Sequence, residues 1–247
     1  MSTGKVIAVT GAARGIGAAI AMELHRRGHV VGCLTRSGSG PGTPAGEATA
    51  AGRFINIPCD VTREAAVKEA LARLADSAGA VNGLVNNAGI HRERPSSTLP
   101  TSTYEEVMAT NATAVLVCAR EAYPHLARAG GGIIVNIGSF FDKVGVKRNI
   151  AYCASKAAVG AITRCLAVEW AGKGIRVVNV APGYIETDLN REAFAGPLRE
   201  FLARRIPGGR HGEPMDVARL VAAIVGENIP FLTGETIYLD GAQGIAL

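Results

Sequence analysis

Tyr152 and Lys156 stand four residues apart in the run NIAYCASKAAVGAI, and Ser139 precedes the tyrosine by thirteen. On a helix that starts near residue 150 the tyrosine and lysine share one face. An ammonium beside a phenol favours the phenolate, so Lys156 is expected to lower the tyrosine pKa. A free phenol titrates near ~10 and does little acid-base work at neutral pH. Lowering it by ~3 units takes about 4 kcal/mol of differential stabilisation. A serine hydroxyl placed opposite would hold a carbonyl or alcohol oxygen. The three groups together would move a proton on and off that oxygen.

Such side chains need a scaffold that holds them in register. Apolar runs without alternation recur along the chain at 6–11, 29–35, 53–61, 81–89, 131–139, 175–183 and 235–241. Helical patterns separate them: one closing near Gly28, one from about Arg63, a long one from about Ser102 to Ala129, the Tyr152 helix to about Gly172, and one from about Met215. Runs of Val and Ile of this kind belong to strands buried on both faces. The expected class is α/β: a single-domain, doubly wound Rossmann fold over residues 1–247. Its seven-stranded, mostly parallel sheet would carry helices on both faces. Two stretches break the pattern. SGSGPGTPAGEATAAG (37–52) is rich in Gly, Pro, Ser and Ala, which predicts a flexible connection instead of a full helix. Residues 186–213 predict one or two short helices between glycine-containing joints. They would form either a segment covering a substrate or a plain packing extension.

Composition narrows the partners. The chain has 247 residues, 48% hydrophobic, which suffices for a large core. Its net charge of +5 comes from dispersed basic residues. That is unlike a nucleic-acid-binding surface, and it suits an anionic cofactor or acyl carrier. Cysteines 33, 59, 118, 153 and 165 lack metal-ligand spacing, and no His pair forms an HExxH arrangement, so no metal is expected. The N-terminus has no signal-peptide pattern, and no apolar run approaches the ~20 residues of a membrane helix. A cytoplasmic protein without a membrane segment is expected.

TGAARGIG (10–17) follows the first strand and opens the first helix. Gly11, Gly15 and Gly17 let a backbone approach a pyrophosphate, with Ala13 and Ile16 as small or apolar flanks. Free N–H groups at the helix start would face its charge. NAD-preferring folds commonly place an acid near the end of the second strand. Here no acid occurs from 31 through 46, and Arg36 stands there with Arg14 in the glycine turn. Guanidinium groups suit a 2′-phosphate, so NADP(H) is the expected cofactor. Asp60 and Val61 would lie near the adenine, although Asp60 could equally cap the helix that begins near Arg63.

TGAARGIG, NNAG (86–89), Asn111, Ser139, YCASK (152–156) and PGYIET (182–187) occur in this order over essentially the whole chain. In this the chain resembles the classical short-chain dehydrogenase/reductase family. KGIRVVNVAPGYIET (173–187) is most similar in look to the 3-oxoacyl-[acyl-carrier-protein] reductases. The resemblance implies that Tyr152 is the acid in ketone reduction and that Ser139 orients the carbonyl. It implies that Lys156 holds the nicotinamide ribose, and that Asn111, inside the long helix, binds a water leading from Lys156 to solvent. Asn87, Ala88 and Gly89 would lie against the cofactor. Pro182, Gly183 and Ile185 would shape the nicotinamide side, with Thr187 near its carboxamide. His91, Phe140, Phe141 and Tyr184 would join Ser139 in the substrate pocket, the two phenylalanines standing where smaller residues are common in the family. A carbonyl or alcohol substrate is implied: either a 3-oxoacyl group carried by acyl carrier protein or coenzyme A, with Arg128 and Lys173 receiving the carrier's charge or standing as solvated surface residues, or a free small alcohol, steroid, sugar or cyclic ketone, which the same three residues would serve. A homotetramer is implied as well.

Overall fold

Alternate residues of a strand point to opposite faces, and in this sheet both faces are apolar. The structure, a computed structural model, describes residues 4–42, 54–187, 192 and 196–246. In β1 (Val6–Thr10), Val6 and Ala8 enter one core while Ile7 and Val9 enter the other. The remaining strands are β2 (Val30–Thr35), β3 (Phe54–Pro58), β4 (Gly83–Asn86), β5 (Gly132–Ile137), β6 (Ile175–Pro182) and β7 (Thr236–Leu239). All pairings are parallel, in the order β3-β2-β1-β4-β5-β6-β7. This is the expected doubly wound Rossmann sheet of seven strands, with helices on both faces.

On one face, α2 (Glu64–Ala78), α4 (Ala114–Arg128) and α5 (Ile150–Trp170) bury Leu71, Leu74, Ala119, Leu126 and Leu166. On the other, α1 (Gly15–Arg26) and α7 (Pro214–Gly226) bury Ile20, Leu24, Val217 and Val221. The order reverses between β1 and β4, and the two chain halves depart in opposite directions from that point. Their loops leave a crevice at the carboxyl ends of the strands.

The helix expected over 102–129 is two helices. α3 (Thr101–Met108) and α4 flank a single π-helical turn, Ala109–Thr113. The turn's Asn111 is fully buried and bonds to the backbone of Ile90, which anchors the wider coil to the loop after β4. The fourth strand stops at Asn86, before most of NNAG. The connection expected over 37–52 is described only to Gly42; its remainder lies outside the described residues. Of 186–213, residues 188–191 and 193–195 lie outside them too. The described part contains α6 (Pro197–Arg205), whose Leu202 packs with Ile206 against Tyr184.

Arg128 ends α4 and Lys173 precedes β6, so both sit at the amino ends of the strands. The Gly132 N–H bonds the Gly174 carbonyl across this edge at 3.1 Å. The crevice is at the other edge, so within this chain the two cations stand apart from the cavity lining.

Candidate active site

Gly11 and Gly15 adopt left-handed backbone conformations, with φ of 67° and 56°. A Cβ on Gly17 would stand 2.3 Å from the Gly11 carbonyl oxygen and 2.4 Å from Asn87 Nδ2. Only glycine lets this turn fold so tightly. The α1 N-terminus has no side-chain cap, and its first intrahelical bond runs from Ala18 N–H to the Arg14 carbonyl. The N–H groups of Gly15, Ile16 and Gly17 therefore have no helical acceptor. The turn opens into a cavity of about 1050 Å³, large enough for a dinucleotide with substrate.

The predicted cofactor residues converge there. Gly11, Ala13, Arg14, Gly15, Ile16 and Gly17 line one end with Arg36, Asp60 and Val61. Asn87, Ala88 and Gly89 line the middle, and Pro182, Gly183, Ile185 and Thr187 the far side. Arg14 and Arg36 are both exposed at the mouth. The Asp60 carboxylate accepts from the Thr62 N–H at 3.0 Å and its hydroxyl at 2.7 Å, and these bonds hold its pKa below the ordinary value. It closes a local turn and leaves the N-cap of α2 to Arg63. Asn87 braces the glycine turn: its Nδ2 donates to the Thr10 and Gly11 carbonyls at 3.0 and 3.3 Å.

Ser139, Tyr152 and Lys156 line the same cavity. Ser139 follows β5 and is buried, and it accepts from the Phe141 N–H at 3.2 Å. Tyr152 and Lys156 project from the first two turns of α5. The buried Lys156 ammonium donates to the Ile137 carbonyl at 2.8 Å and lies 5.6 Å from the centre of the tyrosine ring. The expected acidification of Tyr152 is absent. Burial pushes its phenol up to about 12, against a smaller downward pull from its hydrogen bond with Ser139. Burial also pulls Lys156 down to about 8. Desolvation outweighs the attraction because the ammonium turns to a backbone carbonyl. The phenol is thus held in its protonated, proton-donating form.

Asn111 does not line the cavity. Its Oδ1 accepts from the Ile90 N–H at 2.8 Å, and its Nδ2 donates to the Ile90 carbonyl at 2.9 Å and to Ser155 Oγ at 3.1 Å. Ser155 in turn donates to the Tyr152 carbonyl at 2.7 Å. Asn111 thereby ties the loop after β4 to the first turn of α5.

An aromatic wall closes the substrate end. Phe140 and Phe141 are only 5% and 9% exposed. Their rings lie 4.9 Å apart, and Tyr184 meets them edge-on at 5.5 and 5.9 Å. Phe141 and His91 meet Tyr152 at 5.8 and 4.8 Å. Sequence reasoning missed Thr10, Ser155 and Asn149. Thr10 Oγ1 accepts the N–H groups of Asn87 and Ala88, and Asn149 pairs with His91. The available signal was polar side chains at strand and helix ends, which many turns share.

An NAD(P)-dependent oxidoreductase is the class that this fold and site define. The chain belongs to the short-chain dehydrogenase/reductase family, and the family described as enoyl-(acyl carrier protein) reductase matches residues 11–242. It is 33% identical to the D-threitol dehydrogenase of Mycolicibacterium smegmatis, over 98% of this chain and 94% of that one. It is 34% identical to the 3-oxoacyl-[acyl-carrier-protein] reductase of Vibrio cholerae, over 97% of each. Among solved structures, Thermoplasma acidophilum aldohexose dehydrogenase superposes with a TM-score of 0.89 at 30% identity, over 99% of this chain and 95% of that one.

Proposed function

We propose that the chain is an NADPH-dependent carbonyl reductase, with Ser139, Tyr152 and Lys156 as its catalytic residues and Asn111 supporting them. The observation that carries this reading is that all three side chains share one cavity with the uncapped glycine turn. The left-handed glycines and free N–H groups fit a pyrophosphate, and Arg14 and Arg36 at the mouth fit a 2′-phosphate. Lys156 retains donors for ribose hydroxyls. When bound, the reduced nicotinamide supplies the hydride. Ser139 donates a hydrogen bond to the substrate oxygen. Tyr152 gives that oxygen its proton, a role suited to a phenol that burial keeps protonated. The segment 186–213, which begins just after Tyr184 and contains α6, is assigned to covering the substrate.

For the substrate, likeness to the 3-oxoacyl-[acyl-carrier-protein] reductases favours a 3-oxoacyl thioester on acyl carrier protein or coenzyme A. A second reading, a compact free ketone, is favoured by the closed wall of Phe140, Phe141 and Tyr184. A homotetramer in the cytoplasm completes the proposal. The exposed Leu116 and Val168 on α4 and α5 support self-association, and five unpaired thiols suit a reducing compartment. The test compares kcat/KM for acetoacetyl-coenzyme A, a longer 3-oxoacyl carrier substrate and free ketones with NADPH. A free ketone ahead by 100-fold, about 2.7 kcal/mol in transition-state discrimination, rejects the thioester reading. Absence of turnover with all of them rejects the reductase.

A further inference from the structure

His91 is the nitrogen-bearing member of the aromatic wall, exposed at its edge beside the ring of Tyr152. It is the second residue after NNAG, lines the cavity and sets its ring against that of Tyr152, 4.8 Å away at 70°. Its Nε2 pairs with Asn149 Oδ1. The direction of that bond is fixed by the rest of Asn149. The amide nitrogen of Asn149 donates to the Lys147 carbonyl at 2.9 Å, so the oxygen turned to His91 is the acceptor. Nε2 therefore carries the hydrogen. In the neutral ring Nδ1 then holds a lone pair and can only accept. Among the described residues no donor is paired with Nδ1.

The backbone reinforces this arrangement. The Arg94 N–H donates to the Arg148 carbonyl at 2.9 Å, and Arg148 has a left-handed φ of 67°. A non-glycine residue reaches that conformation only where its surroundings enforce it. The loop carrying His91 is thus clamped to the loop carrying Asn149, immediately before the helix of Tyr152. The imidazole is held in one tautomer beside the phenol, with its acceptor unpaired.

A wall of aromatic rings takes the C–H face of a small molecule, and the imidazole acceptor that touches the Tyr152 ring at its edge takes a hydroxyl, with Glu93 and Glu106 farther along the same lining. We propose that His91 determines specificity, and that the substrate is a compact hydroxylated ketone whose free hydroxyl donates to His91 Nδ1. Its carbonyl oxygen is held by Ser139 and Tyr152. This rests on the carbonyl-reductase reading and deepens its compact-ketone branch. In the reduction the C=O π bond breaks. The carbonyl carbon gains a hydride, with its electron pair, from NADPH, which becomes NADP⁺. The oxygen gains the Tyr152 proton, and His91 neither gains nor loses one.

The test uses the purified full chain with NADPH and three substrates: cyclohexanone, 2-hydroxycyclohexanone and acetoacetyl-coenzyme A. Both ring ketones present the same hydrocarbon face, so their kcat/KM ratio reads the hydroxyl contact. The expected preference for the hydroxyketone is on the order of 10-fold, the size of one well-made hydrogen bond. His91→Phe keeps a ring against Tyr152 and removes both nitrogens. It should bring the ratio to within about 2-fold, whatever it does to absolute rates, whereas His91→Gln, which keeps an acceptor, should retain part of the preference. NADPH dissociation constants check that each variant is folded. Equal use of the two ketones by the native chain, or a preference unchanged in His91→Phe, overturns the proposal. Reduction of acetoacetyl-coenzyme A alone overturns it while leaving the carbonyl-reductase reading intact. NADPH binding without reduction of any of the three defeats both.

Discussion

Lys156 turns its ammonium onto the carbonyl of Ile137, 2.8 Å away, and not onto the phenol of Tyr152 one helical turn earlier. It reaches the cavity wall from inside the protein, and burial lowers its pKa from the ordinary 10.5 to about 8. A lysine whose folded pKa lies below its unfolded one destabilises the folded state while it is charged. That penalty is full below about pH 8, shrinks between 8 and 10.5, and vanishes above. The shift corresponds to about 3 kcal/mol, against which stands the ~1–3 kcal/mol cost of stranding the Ile137 carbonyl. Lys156→Met should therefore be the more stable protein at pH 7 by up to ~2 kcal/mol, and lose that advantage by pH 10.5. Urea midpoints across this range are the measurement. A gap that widens with pH contradicts the assignment.

The same titration should appear in function. The pH dependence of kcat/KM reports groups of the free enzyme. Burial holds Tyr152 protonated up to about 12 and places Lys156 near 8. NADPH affinity should be level from pH 6 to 7.5 and weaken as Lys156 loses its charge above 8. The break should persist in Tyr152→Phe and disappear in Lys156→Met. A break that follows the tyrosine would mean that Tyr152, not Lys156, titrates there.

Tyr152→Phe should bind NADPH nearly as well as the native chain and turn over at least ~100-fold more slowly. The substitution removes the proton donor, and positioned general acids contribute about 10²–10⁴. Phe keeps the ring contacts with His91 and Phe141, so the wall should stand. Fluorescence titration and steady-state rates on one preparation separate the two effects. Native-like turnover would remove Tyr152 from the mechanism.

The sheet was legible because its strands lie within apolar runs without alternation, and each run matched one strand within a few residues. The glycine turn and the Ser139, Tyr152 and Lys156 set were legible because their chemistry demands particular residue types. Two features were not. Nothing in ATNAT marks a π turn, because the turn is stabilised by Ile90 and Ser155, distant in sequence from one another and contacted through Asn111. The direction of the Lys156 ammonium depends on where β5 ends, so helical spacing alone put it beside the phenol.

That π turn yields a coupling prediction. Asn111 Nδ2 donates to Ser155 Oγ, and Ser155 Oγ donates to the Tyr152 carbonyl. Both side chains are fully buried, so removing one strands the other. Asn111→Ala and Ser155→Ala should each destabilise by about 1–3 kcal/mol. The double variant should fall short of their sum by at least ~0.5 kcal/mol. Denaturant midpoints of the four proteins measure the coupling, and strict additivity would mean that the bond contributes nothing.

Arg36 bears on the cofactor alone. It stands just past β2, exposed at the cavity mouth with Arg14, in a stretch without any acid from 31 through 46. A carboxylate there would accept the two ribose hydroxyls of NADH and repel a 2′-phosphate; a guanidinium does the reverse. NADPH should therefore bind the native chain more tightly than NADH. A charged contact of ~1.5–3 kcal/mol corresponds to roughly 10- to 150-fold in affinity. Arg36→Ala should weaken NADPH by that order and leave NADH nearly unchanged, so the preference narrows from one side only. Added salt should weaken NADPH more in the native chain than in the variant, since the contact is exposed to solvent ions. If NADH binds the native chain as tightly as NADPH, the acid-free strand end has been misread and Arg36 is a solvated surface residue.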